Sequence, residues 1–198
     1  MTLRQRLFAR FYDTLQESYE QGLAERRAAL LRDVRGRVLE LGPGTGINFT
    51  HLPDDIEWLG LEPNPHMRAR LEPKARAHGI EPRFCELDGH RFQADDASFD
   101  VVLSTLVLCS VPDLDATLSE IRRVLRPGGR FVFLEHVAAP RGTWERRVQR
   151  LLRPCWQFFG DGCRPDRETD RAIREFGFED LRMESFHARL PHVLGTAR

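Results

Sequence analysis

Val38-Leu39-Glu40-Leu41-Gly42-Pro43-Gly44-Thr45-Gly46-Ile47-Asn48 is the stretch on which the fold turns. Its apolar start reads as a short buried strand, and the glycine cluster that ends it reads as a tight turn into a helix. Gly42 permits the turn, Gly44 lets backbone come close to a ligand, and Gly46 keeps the helix start uncrowded. Outward from there the same rhythm repeats. Trp58–Leu61 predicts a second strand that ends at Glu62 and Pro63, after which Asn64 caps a helix with Pro65 at its first position. Arg83–Leu87 predicts a third strand, and Phe99–Thr105 a fourth that stays apolar through Val111. Asp113–Leu125 predicts a helix stopped by Pro127-Gly128-Gly129, and Arg130–Leu134 predicts a fifth strand. Strands alternating with helices predict an α/β fold, a doubly wound, Rossmann-like parallel sheet covered on both faces.

The flanks follow different patterns. Leu3, Leu7, Phe11 and Leu15 recur at helical spacing, so residues 1–34 are expected as a helical cap. Residues 138–165 break the rhythm: Pro140, Gly142, Pro154, Gly160, Gly162 and Pro165 punctuate an aromatic stretch with Trp144, Trp156, Phe158 and Phe159. That stretch is expected as a loop covering the substrate. Asp166–Phe176 predicts a helix, and Leu181–Phe186 and Val193–Ala197 predict two closing strands. Residues 1–198 are expected as one domain, with 37–137 as its cofactor-binding core and 166–198 as its closing part.

Composition excludes several classes. Thirty Lys and Arg balance thirty Asp and Glu, so no net field draws the chain to nucleic acid. No apolar run reaches the roughly 20 residues needed to span a bilayer, although peripheral membrane contact stays open. Met1–Leu31 is studded with Arg and Glu, so no cleavable signal is expected. None of the four cysteines forms a C-x-x-C pair, so no metal is expected and a reducing cytoplasm fits best. Oligomeric state is left open.

The chemistry starts at Glu62, about twenty residues past Gly42, where a carboxylate would grip the two ribose hydroxyls of an adenosine. The turn is G-x-G-x-G, lacking the third glycine of the dinucleotide pattern G-x-G-x-x-G, which disfavours a nicotinamide enzyme.

E-L-G-P-G-T-G, L-E-P-N, D-D-A-S-F-D-V-V and V-L-R-P-G-G-R-F, in that order, resemble the motif series of class I S-adenosylmethionine-dependent methyltransferases over residues 37–137. The resemblance implies a seven-stranded sheet of order 3-2-1-4-5-7-6 with strand 7 antiparallel, and S-adenosyl-L-methionine as cofactor. It implies that Glu40, Gly42, Pro43, Gly44, Thr45, Gly46 and Asn48 line the methionine part, and that Glu62 and Pro63 lie at the ribose. Glu86, Leu87 and Asp88 fall at the adenine, either acid being able to take the amino group, and Thr105 and Leu106 form the floor.

Three more pieces resemble a narrower group, the membrane-associated alkyl-thiol methyltransferases and their phospholipid methyltransferase-like bacterial relatives. They are S-T-L-V-L-C-S-V (104–111), E-H-V-A-A-P (135–140) and D-G-C-R-P-D-R-E (161–168). The departure is the amino terminus, where that group has an apolar anchor and this chain a charged segment. His136, at the carboxyl end of strand five, is the best candidate base or substrate contact. Asp161 is the second catalytic candidate, with Glu135 and Cys163 weaker ones. The acceptor is expected to be a small apolar molecule, a thiol first; a phospholipid amine, a quinone-like hydroxyl, or cofactor binding without catalysis are the alternatives.

Overall fold

The protein is described here by a computed structural model covering residues 6, 8–10, 12, 19–20 and 22–198. Leu3, Leu7, Phe11 and Leu15, on which the helical expectation for the amino terminus rests, lie outside the described residues. Helix α1 (Ala24–Leu31) leads into β1 (Arg37–Leu41), a single 3-10 turn (Ile47–Thr50), β2 (Glu57–Leu61) and α2 (Pro65–Ala77). The hairpin β3 (Leu87–Asp88) and β4 (Arg91–Phe92) precedes β5 (Phe99–Thr105), α3 (Leu114–Val124) and β6 (Leu125–His136). Then come α4 (Trp144–Phe159), α5 (Thr169–Glu175), β7 (Arg182–His187) and β8 (Pro191–Ala197). No helix among the described residues is long and apolar enough to cross a membrane.

The sheet has the order β2-β1-β5-β6-β8-β7, with β2, β1, β5 and β6 parallel and β8 antiparallel to both its neighbours. Side chains alternate across it, as the pleat requires. Leu39, Leu41, Val102, Phe131 and Phe133 point to one face, where Leu118, Ile121 and Val124 of α3 and Ile173 of α5 meet them. Val38, Val101, Leu103 and Val132 point to the other and meet Leu31 and Val34. Burial on both faces explains why these strands read as continuous apolar runs rather than alternating ones.

Local signals hold at the helix starts. The Asn64 side chain accepts from His66 N–H (3.0 Å) before Pro65, and Asp113 accepts from Ala116 N–H (3.0 Å) at the head of α3. β6 begins at Leu125, earlier than the expected Arg130, because the chain leaves α3 directly in an extended conformation. Gly129 is obligatory there: a Cβ would fall 2.9 Å from Arg126 O and 3.0 Å from Phe99 O.

Three expectations need correction. The sheet has six strands, not seven: of Arg83–Leu87 only Phe84 forms a bridge, to Gly60. Gly60 N–H donates to Arg83 O (2.9 Å) and Cys85 N–H to Gly60 O (2.8 Å), after which the chain turns away into the β3–β4 hairpin. Glu86, Leu87 and Asp88 are exposed, so no burial holds them against the sheet edge. The helix expected after Gly46 is one 3-10 turn, cut short ahead of Pro53. Residues 138–165, expected as a loop, contain the sixteen-residue helix α4, capped by Thr143, whose Oγ1 accepts from Arg146 N–H (3.2 Å). Glycine and proline at the ends of that stretch hid its periodicity, and Pro154 lies inside the helix.

Candidate functional site

The carboxyl ends of the parallel strands converge on the glycine turn. Gly42, Gly44 and Gly46 have φ of 50°, 59° and 84°, the left-handed region that side chains other than glycine avoid. A Cβ on Gly42 would lie 2.7 Å from Val107, and one on Gly46 2.7 Å from the Phe49 ring, so both are packing requirements. Gly44 differs, since a Cβ there meets only Tyr12, at 3.4 Å or more. The Tyr12 ring therefore covers that side of the turn at ordinary contact distance. Pro43 accepts from Gly46 N–H (2.9 Å) and closes the turn, and Thr45 is buried within it.

Glu62 reaches this turn from the end of β2. Its Oε2 accepts from Gly44 N–H (3.0 Å) and its Oε1 from Asn64 N–H (2.9 Å), while Pro63 between them is exposed. Burial pushes the Glu62 carboxyl up to about 7, and the neighbouring charge of Asp161 adds to it. Two N–H donors therefore leave the carboxylate under-solvated, and a pair of ribose hydroxyls would supply the missing donors. The geometry fits an adenosine ribose.

Glu40 takes a different role from the expected one. Asn48 Nδ2 donates to Glu40 Oε1 (2.6 Å), and Trp58 Nε1 donates to Oε2 (2.7 Å), so both oxygens are engaged in the core. Asn48 Nδ2 also lies 2.9 Å from Thr105 Oγ1, and Asn48 Oδ1 accepts from Arg27 Nη1 (2.6 Å). Arg27 is itself fully buried and paired with Glu20 (2.7 Å). Glu40 thus sets Asn48 and Thr105 in place beneath the turn. Leu106, next to Thr105, has φ of 60°, a strained position for a leucine, held by its N–H bond to Leu134 O (2.8 Å).

Arg68 ties Glu86, one of the two acids expected at the adenine, to the end of β2. It donates to Glu86 through both terminal nitrogens (2.6 and 3.0 Å), and its Nε donates to the Glu62 carbonyl. That pairing holds the Glu86 carboxyl below its ordinary value. Asp88 and Leu87 lie on the exposed hairpin instead, Asp88 lining a separate cavity of about 400 Å³ with Arg37, Leu59, Phe92 and Phe99. Of the two acids, Glu86 is the one tied to the Glu62 strand end.

Beyond the floor lies a buried cluster of sulfur and imidazole. His136 Nε2 sits 3.2 Å from Cys163 Sγ, and its Nδ1 has no hydrogen-bond partner among the described residues. Cys109 completes the group, a ligand atom of each residue lying within 4.8 Å of the others. A hydrogen bond from Cys163 holds the Cys109 thiol below the ordinary range, with His136 acting in the same direction, while Cys163 is pushed up. Burial alone would lower His136, but Cys109 and Glu135 together raise it. Arg167 fastens the surrounding loops by donating to Leu108 O (2.6 Å) and Val111 O (2.7 Å), and Arg164 N–H donates to Cys109 O (3.0 Å).

Glu135, beside His136, is wholly buried and accepts from Ser104 Oγ (2.6 Å), Val107 N–H (3.0 Å) and Leu108 N–H (3.1 Å). Burial first, and then the charge of Cys109, pushes it up to about 8. It caps the turn after β5 and has no face left for a substrate. Asp161, the second catalytic candidate, contributes a minor charge effect at Glu62. Tyr19 donates its hydroxyl to His192 Nε2 (2.7 Å), whose Nδ1 donates to Leu190 O (2.6 Å). Burial and the two cysteines push the Tyr19 phenol up. The aromatic face of α4 points outward, with Trp144 75% and Phe159 72% exposed.

Tyr12, Tyr19, Arg27 and Cys109 escaped the sequence reading. Each is isolated in its segment, and only long-range packing makes it part of the site. Cys163 was singled out by its motif but not joined to Cys109.

Residues 39–133 match the family model described as a methyltransferase domain. The chain is 42% identical over 170 residues to thiol S-methyltransferase TMT1B of Homo sapiens, covering 81% of this chain and 69% of the relative. It is 30% identical over 144 residues to phosphatidylethanolamine N-methyltransferase of Cereibacter sphaeroides, covering 72% and 71%. Among solved structures, the DhpI–SAH complex superposes with a TM-score of 0.68 at 23% identity, covering 98% of this chain and 92% of that one.

Proposed function

The chain belongs to this family of S-adenosylmethionine-dependent methyltransferases, and from that premise we propose that it methylates a small apolar thiol. The observation that carries the choice of acceptor is the environment of His136. Its Nε2 faces a sulfur and its Nδ1 no carboxylate, so it lacks the orienting partner that a general base normally has. The neighbouring carboxylate, Glu135, is occupied by three donors. A thiol with an ordinary pKa near 8.5 is already partly thiolate at neutral pH and needs little base, whereas an amine or hydroxyl needs its proton removed. The thiol S-methyltransferase activity for which the human relative is named supports the same acceptor class.

S-Adenosylmethionine supplies an electrophilic methyl group on a sulfonium. The protein's part is alignment, since an in-line displacement gains most from holding donor and acceptor in register. Glu62 and Asn64 orient the ribose end, the Gly42–Gly46 turn brings backbone close to the methionine end, and Thr105 and Leu106 form the floor between cofactor and acceptor. The free cysteines support a reducing, cytoplasmic setting.

A methyl-transfer screen over thiols, amines and phenols of matched size tests this reading. Turnover should favour thiols and rise with pH toward the thiol's own pKa, with micromolar binding of S-adenosylhomocysteine and none of NAD. Turnover confined to amines or phenols would discard the thiol.

A further inference from the structure

Cys109, His136 and Cys163 come from three separate elements: the turn after β5, the end of β6, and the loop after α4. They are also one residue from each of the three stretches S-T-L-V-L-C-S-V, E-H-V-A-A-P and D-G-C-R-P-D-R-E. The features that set this chain apart along its sequence therefore meet at one buried point. We propose that Cys109, His136 and Cys163 form a three-ligand site for a zinc-class divalent ion whose fourth position takes the sulfur of the acceptor thiol.

Geometry supports the donor set. Tetrahedral zinc, with metal–sulfur distances near 2.3 Å and metal–nitrogen near 2.0 Å, needs its ligand atoms roughly 3.3–3.8 Å apart. Here they lie within 4.8 Å, the His136–Cys163 pair at 3.2 Å, so movements of about 1 Å close the shell. Two sulfurs and an imidazole select a soft or borderline ion over magnesium or calcium. Two thiolates and one dication also leave the buried site electrically neutral, which answers the cost of burying charge. His136 presents Nε2 to Cys163 Sγ, while its Nδ1 has no partner among the described residues. The loops carrying the sulfurs, in contrast, are pinned by Arg167 and Arg164. Three protein ligands, not four, is the count of a zinc site that keeps one position for substrate.

The chemistry rests on the thiol reading above. On coordination the acceptor R–SH releases its proton to solvent, because a coordinated thiol is deprotonated outright. Its sulfur lone pair then forms the new S–CH3 bond as the sulfonium C–S bond breaks. The products are a thioether and neutral S-adenosylhomocysteine.

Equilibrium dialysis of the full chain against zinc, followed by cobalt substitution, tests the site. Wild type should bind one ion per chain, and the cobalt form should show thiolate-to-metal absorption. Cys109→Ser and Cys163→Ser should each weaken binding at least tenfold, whereas Cys155→Ser, exposed on α4, should not. Retained S-adenosylhomocysteine binding certifies the fold, and His136→Asn replaces either serine variant that fails it. A small thiol added without methyl donor should change the cobalt spectrum. Substoichiometric metal in wild type, a Cys109–Cys163 disulfide in freshly purified protein, or unweakened binding in the folded variants would overturn the site. Metal-stripped protein that methylates thiols at full rate would overturn it while leaving the thiol reading intact. Stoichiometric metal with a spectrum indifferent to thiols, and no thiol turnover, would overturn the fourth-position assignment together with that reading.

Discussion

Replacing Glu62 by glutamine removes a charge while keeping the side chain's shape, and two magnitudes follow from the structure. The carboxylate accepts from Gly44 N–H at 3.0 Å and Asn64 N–H at 2.9 Å. Glutamine offers one neutral acceptor oxygen in place of two charged ones, so at least one of the charge-assisted bonds expected from the ribose hydroxyls is lost. Hydrogen bonds to charged groups are worth about 1.5–3 kcal/mol. On that scale Glu62→Gln should weaken S-adenosylhomocysteine binding by roughly 10- to 150-fold at pH 8. The second magnitude is a pH slope. Burial raises the carboxyl from 4.5 to about 7 in the unliganded protein. The folded chain therefore holds this proton more tightly than the unfolded chain does. The contribution to stability is complete below pH 4.5 and is lost as pH rises through 7, amounting to about 3 kcal/mol at roughly 1.4 kcal/mol per pH unit. Ribose hydroxyls favour the charged form, so wild-type cofactor affinity should instead improve as pH rises toward 7 and level off above it. Glu62→Gln should flatten the binding profile and remove this share of the stability slope. Calorimetric titration with S-adenosylhomocysteine and urea unfolding, each from pH 5 to 8, measure both. A folded variant with wild-type affinity, or with both slopes unchanged, would refute the reasoning.

The glycine turn should separate packing from ligand approach. Gly46→Ala places a Cβ 2.7 Å from the Phe49 ring at φ of 84°, so urea unfolding should show a loss of roughly 2–5 kcal/mol. Gly44→Ala places a Cβ 3.4 Å from the Tyr12 ring at φ of 59° and should lose only about 1–2 kcal/mol of stability, but at least tenfold in S-adenosylhomocysteine affinity, because the Gly44 N–H that holds Glu62 shifts with the turn. Asn48→Ala strips partners from buried Arg27 Nη1 and Glu40 Oε1, and each orphaned group should cost roughly 1–3 kcal/mol in denaturant unfolding. A loss below about 0.5 kcal/mol would show that the Glu20–Arg27–Asn48–Glu40 chain carries no stability.

The individual strands and the glycine turn were legible along the chain because they depend on neighbours in sequence, whereas the order of the strands across the sheet came only from the family resemblance. Val38–Leu41 and Phe99–Thr105 declare burial by composition, Gly42–Gly46 declare a turn by their missing Cβ atoms, and Asn64 and Asp113 declare helix starts by local hydrogen bonding. Glu62 was legible for the same reason: it ends the strand that follows the glycine turn. What failed was equally physical. Arg83–Leu87 has strand composition but no second face to bury, so it stops at one bridge. Residues 138–165 are bounded by breakers at short range, yet Trp144–Phe159 forms a helix because its partly buried flank, including Arg146 and Gln149, finds partners elsewhere in the fold.

The sequence by itself determined the parallel strands, the methyltransferase motifs and the glycine turn, since each is encoded in a contiguous run whose backbone conformation it dictates. Only the tertiary structure decided what those residues do to one another. It turned Glu40 inward to Trp58 and Asn48, set Glu135 on the amides of Val107 and Leu108, and joined Cys109, His136 and Cys163. Side-chain partners separated by tens of residues are chosen by how loops pack at the end of the sheet, and no local spacing records that choice.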